Sequence, residues 1–63
     1  MEYTTNDFKK GNKVYHLSEQ QFTTRQEMIV IYVGLYDIRC SWMSKDGLSQ
    51  RDNFYPFELK KIN

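Results

Sequence analysis

The fold is decided by an alternating stretch in the middle of the chain, Tyr36-Asp37-Ile38-Arg39-Cys40-Ser41-Trp42. Its apolar residues occupy every second position, and polar residues occupy the positions between them. Side chains change face at every residue of a β-strand, so only a strand collects these apolar side chains on one face. The pair Asp46-Gly47 follows closely and predicts a tight hairpin, because such a turn needs positive φ angles. The middle of the chain is therefore predicted to be antiparallel β-structure, with Tyr36 and Trp42 both on the buried face.

Four other stretches complete a set of five predicted strands around the central strand 36–43: 13–18, 28–33, 48–54 and 60–62. The run 28–33 is continuously apolar and rich in β-branched residues, which is typical of a central strand covered on both sides. The run 48–54 is largely polar, which indicates an exposed or edge strand.

The segments between the strands are predicted from their turn residues. Residues 1–7 are polar and are expected to be a mobile segment ahead of a single domain, 8–63. The stretch 18–27 is polar apart from Phe22 and predicts a loop, with one capped helical turn as the alternative. Pro56 cannot donate a ladder hydrogen bond, so a single 3-10 turn is expected there before the last strand. These features together outline an all-β fold, a small five-stranded SH3-like barrel.

The composition is that of an ordinary globular domain without a strong charge. The 63 residues include nine Lys and Arg against eight Asp and Glu, a net charge of +1, and 16% are aromatic. A chain this short buries only about 60% of its unfolded surface, and aromatic rings help because each removes much apolar area from water. The first residues lack a secretion signal, no apolar run is long enough to span a bilayer, and a single cysteine excludes an internal disulfide. One cytoplasmic domain without membrane association is therefore expected.

Several short motifs resemble the YodC-like family of small bacterial proteins. They are Phe8, Gly11-Asn12, Val14, Met28-Ile29-Val30, Cys40-Ser41-Trp42 and Phe54-Tyr55-Pro56-Phe57-Glu58-Leu59. The match extends over residues 8–62, and Cys-x-Trp followed by Phe-x-Pro-x-x-Leu is its most specific part. The chain departs from the family pattern at Asn12, in lacking Gly-Gly-Pro after the first strand, and at His16, so the inward face of that strand stays open. The resemblance implies an SH3-like fold but no particular activity, because the family has no established biochemical role.

No group of residues has the spacing of a catalytic, cofactor or metal site. Cys40 alternates with Ile38 and Trp42 on the apolar face, where a buried thiol behaves as an inert small hydrophobic group. His16 is the only histidine, and one His with one Cys does not supply the four ligands of a zinc site. The glycines stand alone at separate turns, so the sequence has no phosphate-binding loop. We therefore expect a protein that is not an enzyme and has no cofactor and no metal.

The preferred hypothesis is a non-catalytic binding module that contacts another protein or a second copy of itself. Aromatic residues that do not fit into the core are expected near the surface, where they often mark contact sites. The long first loop and the segment before the 3-10 turn border the main groove of SH3-like barrels. The predicted contact residues come from these two places and are Tyr15, Phe22, Arg25 and Tyr55.

The alternative hypothesis is a small barrel that binds single-stranded RNA. Such barrels stack bases on aromatic rings and hold the phosphate backbone with basic side chains. The predicted basic residues lie near the two ends of the chain: Lys9, Lys10, Lys13, Lys60 and Lys61. The nearly neutral net charge does not favour this alternative.

Overall fold

The computed structural model describes residues 5–19 and 25–62, which form one antiparallel five-stranded sheet. Its strands are β1 (Lys13–His16), β2 (Met28–Val33), β3 (Ile38–Met43), β4 (Ser49–Phe54) and β5 (Leu59–Lys61), in the spatial order β4-β3-β2-β1-β5. Short 3-10 turns cover Thr5–Asp7, Leu17–Glu19 and Pro56–Glu58. The predictions of an all-β fold and of a 3-10 turn before the last strand are confirmed. Within the described residues the sheet is open, since its outer strands β4 and β5 do not pair.

β2 connects the two parts of the sheet, because it pairs with β1 on one side and with β3 on the other. Its register against β3 shifts between Val30 and Tyr32, which leaves Ile31 as an extra residue. An extra residue of this kind bends a strand and increases its twist. Backbone hydrogen bonds from Gly11 N to Val30 O (2.8 Å) and from Val30 N to Asn12 O (2.9 Å) join this strand to the segment before β1.

The turn between β2 and β3 corrects one sequence prediction. Tyr36 is 79% exposed and lies outside β3, which begins at Ile38. The N–H of Gly34 donates to Asp37 O at 2.8 Å, so residues 34–37 form the turn and Tyr36 leaves the alternating pattern. A Cβ atom at position 34 would lie 2.9 Å from Asp37 Oδ1 and 3.1 Å from Asp37 O, so the absence of a side chain at Gly34 leaves room for this tight turn.

The hairpin between β3 and β4 forms at the predicted place but with a different turn. Gly47 has a φ of +81°, whereas Asp46 has no positive φ. Gly47 N–H donates to Ser44 O at 2.9 Å, Ser44 N–H donates to Leu48 O at 2.9 Å, and Leu48 N–H reaches Ser44 Oγ at 3.2 Å. An ordinary turn followed by one left-handed glycine therefore makes the connection, so only one of the two positive φ angles is needed.

The core occupies one face of the sheet. Its fully buried side chains are Val14, Val30, Ile38, Cys40 and Leu59. Phe8 and Met28 complete this cluster, and Val33, Trp42 and Phe54 pack against it while remaining partly exposed. The burial of Val14 shows which face of β1 points into the core. Val14 and His16 lie on this inward face, and Tyr15 lies on the opposite face. Fully burying one such side chain contributes about 1.5–3 kcal/mol to folding.

Trp42 lies at the edge of the core rather than deep inside it. Trp42 lies on the inward face of β3, as predicted, and its ring packs against the core cluster and Phe54. The cross-strand neighbour of Trp42 is Gln50, which is exposed on the outer strand β4. Since no described element covers β4 at this point, one side of the indole stays open to solvent.

Candidate functional site

A groove of about 280 Å³ opens beside Trp42, at the edge of the core. Its aromatic lining comes from three different strands: His16 of β1, Trp42 of β3 and Phe54 of β4. The buried Met28 adds an apolar surface, and Ser18, Glu19 and Gln26 supply the polar part of the lining. A concave site with aromatic walls and few polar groups is the usual form of a ligand-binding site.

The three aromatic rings of the groove are inclined to one another. The ring centroids of His16 and Phe54 are 5.7 Å apart with an interplanar angle of 61°, and those of Trp42 and Phe54 are 6.2 Å apart at 51°. These separations are typical of aromatic pairs that meet edge to face or at a tilt. The rings therefore form a corner rather than a flat stack.

His16 is oriented by contacts at both ring nitrogens. Nδ1 accepts a hydrogen bond from the backbone N–H of Ser18 at 3.1 Å, and Ser18 Oγ lies 2.8 Å from the same nitrogen. Nε2 lies 3.5 Å from Glu58 Oε1. An imidazole nitrogen that accepts from an N–H carries no proton, so the neutral ring has its proton on Nε2 and faces the carboxylate.

Glu58 connects the groove to the 3-10 turn before β5. Its Oε2 accepts a hydrogen bond from the backbone N–H of Tyr55 at 2.8 Å, which caps the turn. Its other carboxylate oxygen is the one that faces His16. The turn and β1 are thus joined by one side chain.

Two of the predicted contact residues, Tyr15 and Arg25, lie together, but Tyr15 offers no open ring. Tyr15 is only 6% exposed, and the Arg25 guanidinium carbon lies 4.7 Å from its ring centroid. Arg25 Nε also donates to Glu19 O at 3.3 Å. The expectation of Tyr15 as a surface ring is therefore corrected: its ring is buried, and the Arg25 guanidinium lies over it. Arg25 also lines a smaller pocket of about 250 Å³, which adjoins the groove and contains Lys45.

The other two predicted contact residues are not part of the groove as described. Tyr55 is 55% exposed and stacks on Phe57, with the ring centroids 5.4 Å apart and the planes 7° from parallel. This exposed pair lies at the 3-10 turn and does not line the groove. Phe22 lies outside the described residues.

The groove was not predicted, because the alternating pattern places Trp42 on the buried face and leaves the inward face of the strand that contains His16 undecided. One signal could have revealed it. Strand 48–54 is polar, so the inward positions opposite Trp42 supply no bulky apolar partner until Phe54. An inward Trp next to a polar edge strand has to remain partly open.

The predicted basic residues are divided between several roles. Lys61 Nζ donates to Asp7 O at 2.7 Å and lies 5.9 Å from the Phe8 ring, while Lys13 Nζ lies 3.7 Å from the Glu27 carboxylate. Lys60 is exposed opposite Tyr15. Pairing of β1 with β5 brings Lys13, Lys60 and Lys61 into one part of the sheet.

Cys40 has the environment of a structural cysteine. Burial raises the pKa of its thiol from 9.0 to about 11, so at neutral pH the thiol keeps its proton and is a poor nucleophile. Among the described residues, no cluster of three or more His, Cys, Asp or Glu side chains is placed to hold a metal ion. The described ranges also contain no helix with the length and apolar character that a membrane crossing requires.

Comparison with known proteins leaves the site to be interpreted from its geometry. No family model matches the chain, and neither the curated proteins nor the solved structures contain a match to it.

Proposed function

We propose that this protein is a non-catalytic binding module that contacts another protein, or a second copy of itself, through the groove of His16, Trp42 and Phe54. One observation carries the proposal: the only tryptophan of the chain is held, partly exposed, in a concave site at the edge of the core. Tryptophan is strongly enriched among the residues that dominate binding energy at protein interfaces. A single cysteine with no disulfide partner is compatible with action in the cytoplasm.

We propose that the sheet is part of an SH3-like barrel of the kind that the YodC-like resemblance implies. Support comes from the strand order, from the bulge in β2 and from the 3-10 turn at Pro56–Glu58 that leads into β5. A bulged strand shared by both parts of the sheet allows the sheet to curve over one core. In this proposal the groove lies at the edge of the core, where the curved sheet does not cover the side chains on its inward face.

The polar groups of the groove favour binding over catalysis. Ser18 Oγ, the His16 ring and the Glu58 carboxylate stand in a row, an order that nucleophilic enzymes also use. Here, however, the Ser18 N–H donates to the same Nδ1 that would have to take the proton from the Ser18 hydroxyl. The lone pair needed by a general base is already engaged, so these contacts orient the histidine ring.

The proposal is tested by selecting binders from a displayed random-peptide library and mapping them by ¹H–¹⁵N NMR. We expect selected peptides to shift the backbone resonances of β1, β3 and β4 around the groove. Phe54→Leu removes one aromatic wall and should weaken binding by about tenfold or more, as for a central interface residue. Tyr36→Ala, at an exposed turn position, should leave binding unchanged.

Self-association is tested on the same samples by a dilution series. If the partner is a second copy, the groove resonances move with protein concentration, and sedimentation shows a matching change in mass. Peptides that bind both variants equally, together with concentration-independent spectra, would contradict the proposal.

A second candidate function, binding of single-stranded RNA, is favoured by the outward face of the sheet. Arg39 and Tyr32 are exposed cross-strand neighbours on β3 and β2, and Arg51 lies diagonally next to Arg39 on β4. Two cations beside an exposed aromatic ring suit a phosphate backbone and a stacked base. This face differs from the lysine cluster that the sequence predicts.

Fluorescence titration with a mixed-sequence RNA at low salt separates the two basic surfaces. Arg39→Gln/Arg51→Gln and Lys9→Gln/Lys10→Gln remove the same charge from different places. RNA binding through the sheet face requires that the arginine variant binds more weakly and with a smaller salt dependence, while the lysine variant matches wild type. Equal affinities of the two variants would contradict it.

A further inference from the structure

The groove has the features of a site for an organic cation. Two of its aromatic walls, Trp42 and Phe54, present ring faces that carry partial negative charge and attract ammonium groups within about 6 Å. The His16–Phe54 and Trp42–Phe54 planes meet at 61° and 51°, so rings on different sides can face one guest. An inclined arrangement surrounds a rounded group better than a parallel stack does.

The formal charges around the groove also favour binding of a cation. Among the described lining residues, Glu19 is the only Asp, Glu, Lys or Arg. Asp52 belongs to the same face of β4 as Phe54, because the two residues are two positions apart on one strand. Glu58 approaches the groove through its contact with His16. Three carboxylates are therefore arranged on this side of the sheet.

Two cationic side chains line the adjoining pocket. Arg25 is held above Tyr15 and bonded to Glu19 O, and Lys45 lines the smaller pocket with it. No Lys or Arg is among the described residues that line the groove, so the aromatic corner can receive a positive guest.

The size of the groove limits the guest to one side-chain head group. Its volume of about 280 Å³ falls just below the range of about 300–1,000 Å³ in which pockets enclose whole drug-sized ligands. An alkylated ammonium group is rounded, weakly hydrated compared with a bare ammonium, and able to contact several ring faces at once. These properties suit an open aromatic corner better than a planar or anionic group.

We propose that the groove binds a methylated lysine side chain displayed by the partner protein, with the ammonium group seated between Trp42, Phe54 and His16 and facing Glu19. This inference rests on the proposed binding function and names the chemistry that the groove recognises. Attraction between the cation and the ring faces supplies the selectivity, and Met28 supplies an apolar contact for the methyl groups.

The test uses two pentapeptides that differ in one atom. One carries trimethyllysine between glycines, and the other carries the isostere in which carbon replaces the quaternary nitrogen, so its shape is kept and its charge is lost. Binding is followed by Trp42 fluorescence and by ¹H–¹⁵N NMR. We expect the charged peptide to bind about fivefold or more tightly than its neutral isostere, as a partly exposed cation–π site provides. Its NMR shifts should centre on the groove.

Variants of the protein link that preference to the proposed residues. Glu19→Gln keeps the acceptor for the Gln26 N–H, which lies 2.9 Å from Glu19 Oε1, while removing the charge. Glu19→Gln should weaken binding of the charged peptide and leave binding of the neutral peptide unchanged. Glu27→Gln removes an equal charge beside Lys13 and should change neither. Phe54→Leu keeps the groove apolar and retains Trp42 as the reporter, and it should reduce the difference between the affinities of the two peptides.

Three results would overturn the inference: equal affinities for the two peptides, no binding of the charged peptide at about 10 mM, a concentration far above useful recognition, or shifts centred on the outward face of the sheet. If peptides selected from the library still bind the groove, the binding function stands and only the methylated-lysine chemistry is wrong. If they do not, both proposals fail.

Discussion

The two faces of the central hairpin β3–β4 differ in what covers them. The inward face carries Ile38 and Cys40, both fully buried, and then Trp42 where the cover ends. The outward face carries Arg39, Ser41 and Arg51 beside the exposed Tyr32 of β2. The inward side chains of the hairpin thus stabilise the fold, and its outward side chains form a charged surface. The groove lies where the inward face, at Trp42, reaches solvent.

Two isoleucines give the most direct test of this difference, since each belongs to one face. Ile38 is fully buried, whereas Ile29 is 45% exposed. Ile38→Ala should lower the free energy of unfolding by about 2–5 kcal/mol, which is most of what so small a domain holds. Circular dichroism and thermal melts should therefore show a largely unfolded chain.

Ile29→Ala is the matched control on the outward face. This variant should remain folded, and its free energy of unfolding should fall by no more than about 1 kcal/mol, because the exposed side chain buries little apolar area. Similar melting temperatures for the two variants would mean that the inward and outward faces have been exchanged.

Trp42 is the intermediate case between the faces. A fully buried Trp loses about 3–5 kcal/mol on truncation to Ala, and the partial exposure of this ring should reduce the loss to about 2–3 kcal/mol. Urea unfolding followed by circular dichroism measures this difference. Tyr32→Ala, which removes an exposed outward ring, should leave stability within about 0.5 kcal/mol of wild type.

Raising the pH should weaken the inward face through Cys40. The folded thiol has a pKa of about 11 against 9.0 for an ordinary thiol, so below pH 9 both states keep the proton and the contribution to stability is complete. Between these values the unfolded chain loses its proton while the folded chain keeps it, and stability falls with rising pH by about 2–3 kcal/mol in total. The expected signature is a stability advantage of wild type over Cys40→Ala that shrinks as the pH approaches 11. A constant advantage would show that the thiol is not sealed from solvent.

The smallest predicted effect concerns the carboxylate that joins the groove to the 3-10 turn. Glu58→Ala removes the acceptor of the Tyr55 N–H and should cost about 1 kcal/mol, the usual value of a lost cap. Glu58→Gln retains an acceptor oxygen and should lose less. Urea unfolding of both variants provides the measurement, and an equal loss would attribute the effect to charge rather than to capping.

The alternation of residues 38–43 and the β-branched run 28–33 predicted two strands well, because local periodicity is enough to define a strand's faces. The boundary at Tyr36 failed because a turn hydrogen bond between Gly34 and Asp37 took precedence over the alternating pattern. The cover of Tyr15 by Arg25 was also beyond prediction, since it is a contact between residues ten positions apart that no local pattern encodes. The local pattern was enough to predict the strands, whereas the exposure of each aromatic ring depends on packing between distant parts of the chain.

The pairing of β1 with β5 also has a consequence for how the molecule folds. Val14 pairs with Lys61, so nearly the whole chain forms the loop between these partners, whereas β2, β3 and β4 are joined by short turns. Closing a long loop is entropically costly, and such non-local pairing slows folding. We therefore expect the β2–β3–β4 meander to form first and β1–β5 to dock late. Because His16 belongs to β1, the groove is completed only in this last step, and a chain that has collapsed but not yet docked its first strand cannot bind.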